Sequence, residues 1–529
     1  MNPPSRSERE NLSAQPEGST APLVPVAAAA PRRLALRGDL LDFTAAPEWG
    51  ATESPAVRFR PDHWLLIEDG RIRGAQPGTQ APPPDHVQHD HRGRLILPGF
   101  IDTHVHSPQL DVIASYGTEL LDWLNTHTFP AEARLADSLH AQGSAEGFLD
   151  ALLSHGTTSA VVFPTVHRHS VDFLFAAAQA RGMRLIAGKV LMDRHAPPEL
   201  LDDAAQAERD CVELIARWHG VDRLAYAVTV RFAPTSSPTQ LAMAGALCAA
   251  HPGVYMQTHV AENRAEVQWV RELFPTARSY LDVYAAAGLL RARSVLAHGI
   301  WLDDADRQAL AQAGAQIAHS PSSNLFLGSG LFDWRAAEAA GVAVSVASDV
   351  GGGTSLSMQR TLADAYKVQA MAGQRLTAWK ALHAATRGPA HALGLAHEIG
   401  SFEPGTSADL CVSRASGAVH RVEATVGVPQ AGGERRTRRP TDPQAVRRWG
   451  RLRLPRTQLP AEARRLGRRR SPRPWPIPDV AYDRRGRRWG NATLVRPHRS
   501  GVVAAASRTL GKAHGRGRRR RRGARPRPR

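Results

Sequence analysis

The chain is poor in cysteine. Its 529 residues contain three, Cys211, Cys248 and Cys411. They are widely spaced and form no metal motif, and an odd number argues against a disulfide framework. Long apolar runs are missing as well, since no stretch reaches the roughly 18 residues that a membrane-spanning helix needs. The apolar piece Leu23 to Ala30 is short and contains Pro25, so a secretory leader is not expected. No glycine-rich dinucleotide fingerprint follows a strand: Gly351–Gly353 lacks the spacing. These absences point away from secreted, membrane and dinucleotide-binding proteins. A cytoplasmic protein with no membrane contact is the expectation.

Acidic residues are scarce in one part of the chain only. The formal net charge is +18. Residues 413–529 hold 33 Arg and one Lys against six acidic residues, a net of +28, which leaves residues 1–412 at −10. The basic character belongs to the last 117 residues. The first 32 residues are rich in Pro, Ala, Ser and charge without periodicity, and read as disordered.

What is present is a regular alternation. Around Leu34–Phe43 and His63–Arg73, short alternating stretches between turn residues predict antiparallel strands, a small β-rich subdomain over 33–93. From Arg94, eight strand candidates follow: RLILPGFIDTHVH, then 158–163, 184–190, 224–232, 254–260, 294–299, 315–320 and 342–350. Helix-length segments lie between them, such as Ser138–Ser154, Pro198–Trp218, Pro238–His251 and Leu302–Gly314. Strands alternating with helices predict parallel βαβ units. Eight units match the usual (β/α)8 barrel of roughly 250 residues, here 94–396. An open doubly wound sheet is the competing topology.

Barrels carry their chemistry at the C-terminal ends of the strands. The polar residues at those ends are few. His104 and His106 close the first strand, and residues two apart on a strand share a face. Arg231 and Phe232 follow the fourth, His259 and then Glu262 the fifth. His298 ends the sixth, His319 or the following Ser-Pro-Ser-Ser-Asn (320–324) the seventh, and Asp349 the eighth. A single histidine after a buried strand is usually structural, but several at matching ends predict a metal site. Imidazoles with a carboxylate suit a zinc-like ion, which lowers the pKa of its water to about 7. Glu262, three residues beyond His259, is placed to move protons; as a surface carboxylate it would merely favour a helix N-terminus.

At these residues the sequence resembles the amidohydrolase superfamily and, within it, the guanine deaminases. The matching segments include PGFIDTHVHSPQ (98–109), LLDWLNTHTFPAEAR (120–134), HGTTSAVVFPTVH (155–167), VTVRFAPTSS (228–237), QTHVAENRAEV (257–267), AHSPSSNLFLGSG (318–330) and SDVGGGTSLSM (348–358). They span roughly residues 34–412. The resemblance implies one zinc per chain, bound by His104, His106, His259 and Asp349. His298 would contact the water or the substrate rather than serve as a main ligand, and Glu262 would relay the proton. Gln109, Arg231 and Phe232, with His259, would hold a purine. The implied reaction is the hydrolysis of guanine to xanthine and ammonia, in a protein that is a homodimer by the same resemblance. An adenine-like, triazine or pterin ring is the alternative substrate, and Arg231 discriminates because an adenine-like ring offers it no carbonyl. A two-metal site would need a bridging carboxylated lysine, for which Lys189 is the candidate; the arrangement at 259–262 favours one metal.

The resemblance stops abruptly. Segment 397–412 begins the return to the small subdomain, and beyond Val412 no period of 2 or 3.6 persists. Either residues 413–529 are a genuine arginine-rich tail that binds nucleic acid, or the reading frame has shifted near codon 413. The mid-subdomain position favours the shift. A basic nucleic-acid-binding protein on an inactive barrel is the reading from another class. An incomplete subdomain predicts unpaired strand edges at Leu34–Phe43 and His63–Arg73.

Overall fold

The alternating stretches at the start pair into a six-stranded sheet. In the computed structural model, which describes residues 32–414 except 118 and the backbone of 422–425, its strands are β1 (Arg33–Phe43), β2 (Val57–Glu68), β3 (Arg71–Pro77) and β4 (Val87–Pro98). Two late strands complete it, β14 (Leu410–Arg414) and β15 (Val422–Thr425). The order is β15-β14-β4-β1-β2-β3. Leu36, Leu40, Leu65, Ile67, Ile96, Leu410 and Val412 bury its inner face.

This corrects one expectation. β1 pairs with β2 and β4, and β2 with β1 and β3, so Leu34–Phe43 and His63–Glu68 are paired on both sides; Arg71–Arg73 belong to the outer strand β3, where Ile72 exchanges backbone hydrogen bonds with Gly405 and Thr406. The return does not end at Val412, because β14 pairs antiparallel with β4 and then with β15. Segment 1–31 and the arginine-rich stretch after 425 lie outside the described residues.

The second sheet is the barrel. Its strands are β5 (Phe100–His106), β6 (Thr157–Phe163), β7 (Arg184–Ala187), β8 (Val190–Leu191), β9 (Leu224–Val230), β10 (Tyr255–Val260), β11 (Ser294–His298), β12 (Gln316–His319) and β13 (Ala343–Val346). All pair in parallel, each with its neighbour in turn. β7 and β8 are two halves of one barrel position, both against β9. Gly188 lies at the break, where a Cβ would fall 1.8 Å from the carbonyl oxygen of Ala227. The ring closes behind β13: the Asp349 N–H donates to the His104 carbonyl at 2.9 Å, and the His106 N–H to the Val350 carbonyl at 2.9 Å. An open doubly wound sheet is excluded. The run RLILPGFIDTHVH is two strands rather than one. It splits at Gly99, with β4 in the small sheet and β5 in the barrel.

The helices between strands start where capping chemistry allows. Asp137, Asp203 and Ser237 each accept a backbone N–H at the start of Ser138–Ser154, Ala204–Trp218 and Pro238–Ala250. Asp303 and Asp306 form a reciprocal box before Asp304–Ala313. Ile101, Val161, Ile186, Ala225, Tyr255, Val295 and Ala318, one from nearly every barrel strand or strand end, form one buried cluster with Leu393 and Ile399. This apolar cluster leaves one end of the barrel for polar groups.

Candidate active site

The strand ends bring the expected residues together. His104 and His106 end β5 with imidazole centroids 4.9 Å apart. His259 on β10 packs 4.6 Å from His104 and 5.2 Å from His106. Asp349 Oδ1 lies 3.1 Å from His104 Nε2 and 3.2 Å from His106 Nε2. His298 Nε2 is 3.7 Å from Asp349 Oδ2 and 3.3 Å from Glu262 Oε2. The donor atoms of His104, His259, His298 and Asp349 all lie within 4.8 Å of one another. His298 thus stands inside the cluster rather than beside it. Phe163, ending β6, supports the imidazoles at 4.8–5.0 Å from His104, His106 and His259.

Hydrogen bonds fix which nitrogen faces the centre. His259 Nδ1 donates to the Arg231 carbonyl at 2.6 Å, leaving Nε2 as a lone pair 3.3 Å from His106 Nε2. His298 Nδ1 donates to Asn324 Oδ1 at 2.9 Å. His104 Nε2 and His298 Nε2 are buried without a hydrogen-bond partner. Lone pairs facing each other at this separation repel unless a cation lies among them. The donor set therefore fits a divalent metal ion.

Electrostatics agree. Burial pushes the His104 imidazole down to about 4 and lowers His106 and His259, which favours the neutral imidazoles a metal would need. Burial opposes the charge on Asp349, yet His104, His106 and His298 around it hold its carboxyl well below the usual range. Burial pushes Glu262 up to about 7, with Asp349 and Glu266 adding to the rise and His298 opposing it. Ser329 Oγ donates to Glu262 Oε1 at 3.0 Å.

Beside this cluster lies a pocket that opens to solvent. Gln109, Arg231, Phe232, Glu262, His298 and Asp349 line it, with Leu120, Trp123, Leu124 and Leu327 as apolar walls. Arg231 is buried against Glu132, with Nη1 2.8 and 2.6 Å from the two carboxylate oxygens.

All nine expected residues meet here. Lys189 does not join them. It hydrogen-bonds to Asp202 and is 3.4 Å from the Val190 carbonyl, so it offers no bridge between metals. His319 also faces elsewhere, against Phe332 and Trp334. Sequence reasoning missed Glu132, Phe163 and Ser329, and reached Asn324 only as part of the Ser-Pro-Ser-Ser-Asn run after the seventh strand. Each lies within a segment that carries the family resemblance, but no local spacing marks it as a partner of a distant strand end. Asp102 lies on the same strand as His104 and His106. It accepts from the Ser348 N–H at 3.0 Å and ties β5 to the loop that carries Asp349.

A closed parallel barrel with a histidine–aspartate cluster at the strand ends defines the class of metal-dependent hydrolases. The chain belongs to the amidohydrolase family, which it matches over residues 95–428. Within that family it is similar to guanine deaminases. The guanine deaminase of Escherichia coli (strain K12) is 45% identical over 381 residues, covering 72% of this chain and 87% of that protein. Its solved structure covers 72% of this chain and 89% of its own, with a TM-score of 0.69. The probable guanine deaminase of Deinococcus radiodurans is 42% identical over 374 residues, 67% of this chain and 85% of that one. A guanine deaminase from C. acetobutylicum, solved with guanine in its active site, is 26% identical at a TM-score of 0.66, covering 72% of this chain and 91% of its own.

Proposed function

We infer that the protein hydrolyses guanine to xanthine and ammonia, with one zinc ion per chain held by His104, His106, His259 and Asp349. The observation that carries this reading is the shared pocket. A buried arginine and a glutamine, suited to a purine's carbonyl and ring nitrogens, stand beside a metal-donor cluster and a carboxyl near pH 7. When bound, zinc lowers the pKa of its water to about 7 and stabilises developing negative charge.

The chain's own residues do the rest. Phe232 supplies a face for the flat ring. Arg231 donates to the ring carbonyl, and Gln109 offers both a donor and an acceptor. Glu262 titrates near neutral pH, the range in which one group both takes and returns a proton. It accepts one proton from the attacking water and passes it to the neighbouring ring nitrogen, then takes the second from the hydroxyl on the tetrahedral carbon, which becomes the new carbonyl, and delivers it to the departing amine. A C–O bond forms at the carbon that bears the amine, the C–N bond breaks, and ammonia leaves. His298, oriented by Asn324, and Asp349 hold the nucleophile and stabilise the tetrahedral carbon.

The test is ammonia release from guanine by purified protein, with and without a chelator, with zinc content measured alongside. Release that stops with the chelator and returns with zinc is expected. A folded, zinc-loaded sample that releases none overturns the reading. The same resemblance supports a homodimer, which sedimentation tests directly. Among the described residues no helix is long and apolar enough to cross a membrane.

A further inference from the structure

Glu132 has no part in the reaction derived above, yet it is completely buried beside it. It lies on the short helix Phe129–Ala133, just after Leu120, Trp123 and Leu124 of the pocket wall. Its carboxylate accepts from Arg231 Nη1 at 2.8 and 2.6 Å, and Oε1 also accepts from Gln109 Nε2 at 2.9 Å. One carboxylate thus joins the two polar side chains that face the ring.

The consequences follow from hydrogen-bond valence. A carboxylate is purely an acceptor. At the other end of Gln109, Oε1 accepts from the Gly351 N–H at 3.1 Å. The amide is therefore caught between an acceptor and a donor and has one orientation. Its second N–H and second lone pair remain for a ligand. Arg231 is held in the same way. A buried guanidinium needs a compensating charge, and Glu132 engages one Nη, leaving the other donors of the fork for a carbonyl oxygen. The Phe129 ring, from the same short helix, lies 5.3 Å from the guanidinium carbon.

We propose that Glu132 is the positioning residue that sets substrate selectivity, fixing Arg231 and Gln109 so that the pocket prefers a purine with a carbonyl at the six position over one without. This rests on guanine being the substrate. It adds that selectivity resides in a residue that does not touch the ring.

The experiment compares the full-length, zinc-loaded enzyme with E132Q and E132D. E132Q keeps the shape and removes the charge; E132D keeps the charge and withdraws it. Steady-state kinetics with guanine are paired with two competitive inhibitors, hypoxanthine, which keeps the six-position carbonyl, and unsubstituted purine, which lacks it. For E132Q, KM for guanine and Ki for hypoxanthine rise at least tenfold. Over the same change kcat falls less than threefold, Ki for purine stays within twofold, and zinc content is unchanged. E132D is intermediate, with rises of about threefold. Unchanged KM and hypoxanthine Ki overturn the proposal, as does a parallel rise for both inhibitors, which marks a general distortion. If E132Q yields no folded protein, E132D tests the same pattern at its threefold rise in KM and hypoxanthine Ki, with purine Ki unchanged. The unaltered enzyme separates the two readings. No ammonia from guanine overturns the substrate and this inference with it, whereas normal wild-type turnover beside an unchanged variant overturns this inference alone.

Discussion

Ser329 touches the chemistry only through Glu262, and that makes it a clean probe. Its hydroxyl donates 3.0 Å to one oxygen of a buried carboxyl. Hydrogen bonds to charged groups contribute about 1.5–3 kcal/mol. S329A should therefore lower kcat for ammonia release by about tenfold while KM changes less than twofold, read from initial rates. An equal loss in KM would mean that Ser329 shapes the purine pocket instead. Phe232 makes the opposite prediction. Loss of its ring should raise KM several-fold, since aromatic contacts add about 0.5–1.5 kcal/mol beyond area, and leave kcat nearly intact in the same assay. Backbone conformation also acts at this scale. His298 and Asp349 have φ of +72° and +48°, in the left-handed region that side chains avoid. Such residues cost about 1–3 kcal/mol each and collect at functional sites. Here the turn out of the strand aims both side chains at the centre.

At the level of elements, the barrel depends on a few close approaches. Between β7 and β8 the chain passes so near β9 that Gly188 has no room for a Cβ, with the Ala227 carbonyl oxygen at 1.8 Å. G188A should destabilise the protein by about 2–3 kcal/mol, the upper range for overpacking. The denaturant midpoint measures this, and an unchanged midpoint would show that β7 and β8 shift freely. The loop after β10 is held differently. Glu266 Oε2 accepts from the N–H groups of Glu262 and Asn263 at 2.9 and 3.1 Å, and Tyr280 donates to Oε1 at 2.7 Å. That capping arrangement starts the helix Arg264–Leu273 and presents Glu262 to the pocket. One local device thus serves both the helix and the chemistry.

For the whole molecule, buried donors of the metal cluster link the site to stability. Neutral imidazoles and a charged carboxylate face one another in a buried centre that favours a cation, and a ligand that binds only the folded state stabilises it by mass action. Dialysis against a chelator should abolish ammonia release and lower the melting temperature, and zinc should restore both. The two sheets predict what the last residues contribute. Every expected site residue precedes 350, and the family match ends at 428. A chain shortened to residues 1–428 keeps β14 and β15, and its kcat/KM for guanine should stay within twofold of the full chain. A larger loss would assign the arginine-rich stretch a part in folding or catalysis. Much of this organisation was legible in the residues alone. Strand-length apolar runs alternating with helices specify a barrel because backbone hydrogen bonding and binary patterning are local properties. Ligand-type residues at the ends of those runs specify a metal site because strand ends in a closed parallel barrel converge. Other features required the folded chain. The split of RLILPGFIDTHVH at Gly99 between two sheets, the continuation of the small sheet past Val412, and the inward position of His298 depend on pairing between distant segments. So does Glu132, whose partners stand 23 and 99 residues away. A carboxylate's burial and its partners are set by three-dimensional packing, and no periodicity along the chain encodes them.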